Sequence, residues 1–321
     1  MIAENSTISP EVLASLHQRR SAGETLKALA AEVGITWQRL WVLLVTTAPK
    51  TELPAVTGSA GKVGSPAGRT HRQFAEVAGL IEEGHANIML VGPAGTGKTT
   101  LVKHLAQAMG RNFAFISLSA GVTETHIFGR MLPQADGTWA YVESPFVRVY
   151  RNGGVFLFDE VDAADGNVMV SVNAALANGV LCNPVTGEIV TRHADCVIVA
   201  AANTYGRGGD MVYVGRNALD GATLDRFALA KVFVTYDTEF EYDLCKDGLS
   251  QSLTDQLFDW VKDLRQGIAA SRLRRIASTR LIEQGVKALK HGRTLVQVKA
   301  RYFQDWTRDE LAKVGAEVSC A

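Results

Sequence analysis

The segment Gly92-Pro93-Ala94-Gly95-Thr96-Gly97-Lys98-Thr99 constrains this chain more than any other part of it. It stands between an apolar run with the spacing of a strand, Asn87 to Val91, and a run that reads as a helix, Leu101 to Met109. A glycine-rich loop in that position turns backbone N–H groups inward around phosphate oxygens. The helix after it adds unpaired amides and the positive end of its dipole. Lys98 then reaches the β- and γ-phosphates, and Thr99 holds Mg²⁺. The expected binding set is Gly92, Pro93, Ala94, Gly95, Thr96, Gly97, Lys98, Thr99 and the adjoining Thr100, with a nucleoside triphosphate as ligand. A glycine turn that holds a lysine by coincidence is disfavoured, because strand, loop and helix agree.

Val155 to Phe158 reads as a strand buried on both faces, and it ends in Asp159-Glu160. An acidic pair at the end of such a strand is a Walker B element. Asp159 serves Mg²⁺, and Glu160 orients and deprotonates the attacking water, since phosphoryl transfer needs an in-line nucleophile more than covalent chemistry. Hydrolysis is therefore expected rather than binding alone. A third apolar run, Val197 to Ala201, leads to Asn203, whose amide is placed to hold the same water and resembles a sensor 1 residue.

After a stretch rich in glycine and arginine, Tyr205 to Arg216, comes Leu224-Asp225-Arg226-Phe227. With the P-loop, Walker B and sensor 1 in that order, it resembles the AAA+ ATPases. The resemblance implies that Arg226 is an arginine finger inserted into a neighbouring subunit's site, and hence a ring. Alone, Arg226 also reads as a surface arginine beside a helix. The match narrows with Gly129-Arg130, Asp136 to Trp139, Ser144 to Arg148 and Arg151 to Gly154 before Walker B, and with a hairpin from Leu181 to Arg192 turning near Thr186-Gly187. Together these resemble the branch of MoxR-like ATPases, the ATPase subunit of cobalt chelatase (CobS) and the dynein-related, midasin-like domains. In that branch an insert in the second helix and a hairpin before sensor 1 face the pore or a partner. Here the insert is Gly129 to Glu143, whose Trp139 and Tyr141 either grip a partner or pack the hairpin. Ser278-Thr279-Arg280, opening a helical pattern, resembles sensor 2, although threonine stands where MoxR-like proteins commonly have proline. Arg274 and Arg275 compete with Arg280, and a solvated basic face is the plainer alternative.

The 321 residues suffice for two or three domains, and 47% hydrophobic with 21% charged residues is ordinary for a globular protein. A formal net charge of zero gives the whole chain no electrostatic reason to seek nucleic acid or an anionic membrane. Cys182, Cys196, Cys245 and Cys320 lack short paired spacing and do not join the seven histidines in a zinc pattern. No basic-plus-apolar leader and no membrane-length apolar run is present, so the expected compartment is a reducing cytoplasm, of a prokaryote or of a host infected by a phage.

Punctuation divides the chain into a helical unit at 1–50, a flexible linker at 51–70, an ATPase core at 71–238 and a helical lid at 239–321. The expected fold is α/β: a P-loop AAA+ core with a parallel sheet and covering helices, a C-terminal helical lid and a small helix-turn-helix-like N-terminal unit. In that unit Leu26, Leu29, Ala30 and Val33 line a helix ended by Gly34. A third helix with Leu40, Trp41 and Leu44 inward presents Trp37, Gln38 and Arg39 outward. Arg19, Arg20, Lys62, Arg69 and Arg72 are candidate phosphate contacts, and a protein-docking module explains the same spacing.

The reading is thus a hexameric, Mg²⁺-dependent ATPase that binds ATP and remodels a protein client or adaptor. In relatives that partner often carries a von Willebrand factor A-type domain or is a chelatase component. The alternative is a DNA-associated motor or regulator recruited through residues 1–50.

Overall fold

The computed structural model describes residues 69–316 and, before them, residues 9, 12, 15, 16, 18, 19, 24–36 and 40. Contacts divide the chain into two compact units, Met1–Thr57 and Gly58–Ala321.

In the first unit helix α1, Leu26–Glu32, starts at Thr25, whose side chain accepts from Ala28 N at 3.3 Å. Leu16, Leu29, Ala30 and Leu40 are buried together, with Val33 and Ile35 packed beside them. Gly34 has φ +67°, which ends the helix as the sequence suggests. Trp37, Gln38 and Arg39, expected on a recognition helix, lie outside the described residues. Arg19 is engaged by Glu24 and Glu32 at 2.8 and 2.9 Å, which occupies one of the candidate phosphate contacts. Arg69 of the second unit pairs with Glu239 and Asp243.

The second unit is built on five parallel strands: β1 (Asn87–Val91), β2 (Phe113–Ser117), β5 (Gly154–Asp159), β8 (Cys196–Ala202) and β9 (Lys231–Phe233), in the order β2-β5-β8-β1-β9. Two antiparallel hairpins, β3 (Arg130–Pro133) with β4 (Trp139–Val142) and β6 (Val180–Cys182) with β7 (Ile189–Thr191), stand apart from it. The alternation of side chains along each central strand sorts them into two cores. Ile88, Leu90, Val155, Leu157, Val197 and Val199 pack with Leu101 and Leu105 of helix α3 (Lys98–Ala108) on one face. Met89, Val91, Phe156, Phe158, Ile198 and Ala200 meet Phe146 and Tyr150 of helix α5 (Pro145–Asn152) on the other. Phe146 is the centre of that second core, its ring 5.1 and 5.0 Å from those of Phe156 and Phe158. Burial on both faces explains why these strands read as unbroken apolar runs.

Beyond β9 the chain is helical, as expected: Thr238–Lys246, Gln251–Ala270, Thr279–Lys290, Leu295–Tyr302 and Arg308–Lys313. They bury Cys245, Leu257, Val261, Ile282 and Val286 around one centre and Leu264, Phe303 and Trp306 around another. No helix among the described residues is long and apolar enough to cross a membrane.

The insert at 129–143 folds as the hairpin β3–β4, and its two aromatic residues part company. Trp139 is 63% exposed. Tyr141 is half-buried, donates to Phe128 O and is itself bonded by Asn183 Nδ2 at 2.7 Å. Asn183 is fully buried, also donates to Phe128 O at 3.2 Å, and accepts Val185 N at 2.9 Å through Oδ1. One amide therefore joins the two hairpins, and Tyr141 is packing rather than free surface. Asn183→Ala strands these buried partners, so it should lower stability by about 1–3 kcal/mol in urea unfolding while leaving nucleotide affinity unchanged.

Candidate nucleotide site

The carboxyl ends of β1, β5 and β8 lie level, since Val91 pairs with Ala202 and Phe158 with Ala200. The chain therefore leaves all three strands at one place, where a cavity of about 270 Å³ opens. Its wall includes Ala94, Gly95, Thr96, Gly97, Lys98, Thr99 and Thr100, together with Asp159, Glu160, Asn203 and Arg280. The loop needs its glycines for two reasons. A Cβ on Gly92 would fall 2.0 Å from Val234 O, and Gly95 has φ +74° in the left-handed region. Thr96 fastens the turn by donating to Pro93 O at 3.1 Å.

Lys98 Nζ donates to Gly92 O at 2.8 Å, Pro93 O at 2.9 Å and Asn203 Oδ1 at 3.0 Å. All three donors are thus satisfied, and Asn203 after β8 is tied to the loop after β1. Burial pushes the ammonium pKa down to about 8, against the pull of Asp159, Asp162 and Glu160. Thr99 Oγ1 donates to Asp159 Oδ2 at 2.8 Å. This pair of hard oxygens fits Mg²⁺, which in phosphate-transfer sites takes one or two protein oxygens and completes its octahedron with phosphate and water. Glu160 has φ 56° and ψ 42°, a left-handed backbone that for a residue with a side chain costs about 1–3 kcal/mol and is found preferentially at functional sites.

Residues 87–227 match the family described as AAA domain, dynein-related subfamily. Over that stretch the chain is similar to an AAA domain. It is 30% identical over 168 residues to midasin of Dictyostelium discoideum, covering 52% of this chain and 3% of midasin. It is 26% identical over 151 residues to an uncharacterized protein of Staphylococcus saprophyticus, covering 46% of this chain and 55% of that one. With protein NorQ of Paracoccus denitrificans it shares 27% identity over 247 residues, 75% of this chain and 88% of NorQ. The chain thus spans a small fraction of midasin and about half of the staphylococcal protein. An AAA domain implies nucleotide binding, and this cavity is the candidate site for it.

The remaining candidates separate by geometry. Arg226 does not line its own chain's cavity. Its Nε donates to Asn173 O at 3.2 Å and its Nη1 to Ala222 O. Arg280 lines the cavity beside Thr279 and Glu283. Arg275, a competitor from sequence, is committed to Asp305 and Glu310 at 2.5 and 2.9 Å. Several wall residues carried no signal in the sequence. His71, Asp237 and Phe240 come from outside the motifs. His71 accepts Gln73 N at 3.2 Å and donates to Thr235 O at 3.2 Å, a neutral pattern consistent with a pKa that burial lowers. Tyr213 accepts Ala94 N at 2.8 Å, and Tyr236 donates to Ala94 O at 3.1 Å.

A triphosphate beside Lys98 raises the ammonium pKa above its value in the free site, because an anion favours the charged form. Affinity should therefore be full below about pH 8 and fall as pH rises through it, by up to about tenfold per pH unit until the bound-state pKa is reached. Titrating a fluorescent ATP analogue between neutral and alkaline pH checks this. Lys98→Ala should abolish binding at every pH.

Proposed function

We propose that this protein is a Mg²⁺-dependent ATPase that acts as a hexameric ring and spends ATP on remodelling a protein partner. The observation that carries the reading is the division of labour in one chain. Lys98, Asp159, Glu160 and Asn203 converge on one cavity, while Arg226 stands outside it, anchored to the carbonyls of Asn173 and Ala222. A cavity lined by the other candidate groups, Arg280 included, but not by Arg226 is what a trans-acting finger requires.

In this mechanism the P-loop amides and Lys98 neutralise the phosphate tail. Thr99 and Asp159 would hold Mg²⁺, which would supply further charge neutralisation to the phosphate tail. Glu160 takes a proton from water as its oxygen attacks the γ-phosphorus, Asn203 fixes that water in line, and the bond to the β-phosphate oxygen breaks. The products are ADP and inorganic phosphate. Arg226 of the neighbouring subunit and Arg280 stabilise the charge that spreads over the transferring group.

The exposed apolar residues of the hairpins support a protein partner. Trp139 is joined by Met131 and Ile189, also exposed, on elements that take no part in the cavity. A partner with a von Willebrand factor A-type domain, or a chelatase component, fits the resemblance. A cytoplasmic setting is part of the same proposal.

Two experiments test it. Glu160→Gln should keep ATP affinity and lose turnover, since shape is preserved and the base is gone; normal steady-state hydrolysis would remove Glu160 from the chemistry. Lys98→Ala and Arg226→Ala subunits, each inactive alone, should regain part of the ATPase rate when mixed, because a mixed ring lets an intact P-loop meet an intact finger. Persistent inactivity with subunit exchange demonstrated by native mass spectrometry would sink the trans assignment.

A further inference from the structure

Asp162 and Arg216 belong to none of the motifs named above, yet they connect three of them. Asp162 is fully buried, in the short turn after β5. Its Oδ2 accepts Asn203 N at 3.1 Å, Thr204 N at 2.9 Å and Thr204 Oγ1 at 2.9 Å. Its Oδ1 faces Arg216 Nη1 at 3.3 Å, and Arg216 Nη2 lies 3.5 Å from Glu160 Oε1. The segment that carries Arg216 is itself held. Asn217 N donates to Asp162 O at 2.7 Å, Asn217 Nδ2 to Ala164 O at 2.8 Å, and Tyr213, three residues earlier, bonds the P-loop at Ala94.

We infer that Arg216 is a positioning residue for ATP hydrolysis, its guanidinium fork setting Glu160 and, through Asp162, the backbone that presents Asn203. The two groups that act on the attacking water are then placed by one side chain. Three observations favour this over a chance surface pair. The Arg216 side chain is only 15% exposed. Asp162 cannot be left uncompensated, because a buried carboxylate stripped of its partner is costly. And a planar fork meets the two carboxylates through two different nitrogens held at a fixed spacing, where a lysine has only one. Arg216 does not line the cavity, so it makes no direct contact with a nucleotide held there. The inference rests on Glu160 as the base.

The test uses the full chain with Arg216→Ala, Arg216→Lys and, as reference, Glu160→Gln. Steady-state ATPase, affinity for a fluorescent ATP analogue and thermal melting are measured for each. Arg216→Ala should lose turnover on the order of a hundredfold, as misplaced reacting groups do, with affinity unchanged. Arg216→Lys should fall between Ala and wild type, with wild-type melting. Wild-type kcat in Arg216→Ala, or kcat and affinity falling together, overturns the inference. If Arg216→Ala does not fold, Arg216→Lys decides alone: reduced kcat at unchanged affinity and melting supports the role, and wild-type kcat removes it. Glu160→Gln distinguishes the two layers. Should it hydrolyse ATP normally, the assignment of the base fails; should it be inactive while Arg216→Ala is normal, only the role of Arg216 fails.

Discussion

The register of three parallel strands is the constraint on which the site depends. Val91, Ala202 and the end of β5 lie side by side, so the P-loop, the acidic pair and the sensor asparagine leave the sheet at one level. A parallel sheet presents its ligands outside the carboxyl ends of its strands, and here both faces are sealed by helices. The phenylalanines of β5 protect that register. A slip of one residue would turn Phe156 and Phe158 away from Phe146 and toward the helix that follows the P-loop. Packing far from the cavity thus decides where Asp159 and Glu160 emerge.

At that level the sheet gathers Lys98, Asp159, Glu160, Asp162 and Arg216 into a small volume. None of these charges is simply buried. Lys98 spends its donors on two carbonyls and an amide, and Asp162 spends one oxygen on three donors and the other on a guanidinium. Such a network stays affordable only because its members are satisfied, since a half-satisfied one is worse than an apolar core. The lowered pKa of Lys98 records the residual cost. It also means that an arriving anion relieves the site rather than straining it.

The parts of this site that could be read from sequence are those in which chemistry and local structure coincide. Gly92 to Thr99, Asp159-Glu160 and Asn203 each follow an apolar run that had to be a buried strand. The parts that could not be read depend on long-range contact. β2 alternates half-buried and exposed positions, and β9 is three residues long, so neither offers a run to detect. Asp162 looked like one more acid after Walker B, and Arg216 like one of several arginines in a glycine-rich loop. Only their meeting across 54 residues makes them a pair. Arg274 and Arg275 compete with Arg280 in the sequence as members of one basic cluster, and Asp305 and Glu310 claim Arg275. Tyr141 carried the same ambiguity as Trp139, and a buried amide 42 residues away resolved it.

The C-terminal helices are coupled to the P-loop by contacts that leave little room for independent movement. A Cβ on Gly95 would stand 2.5 Å from Ser278 Cβ, so the cap of the helix bearing Arg280 rests directly on the phosphate loop. Behind it Arg265 grips the buried Glu241 through two bonds of 2.7 Å, and Thr279 donates to the same carboxylate. The Arg265 guanidinium also lies 3.8 Å over the ring of Tyr236, whose hydroxyl reaches Ala94 O. A shift of the P-loop therefore meets the helical region at Ser278 through van der Waals contact and at Arg265 through Tyr236. Both routes end on the two residues that precede Arg280, the cap Ser278 and the first helical residue Thr279. The position of that arginine is set from the side of the loop as well as from its own helix, which is what the proposed sensor role of Arg280 requires.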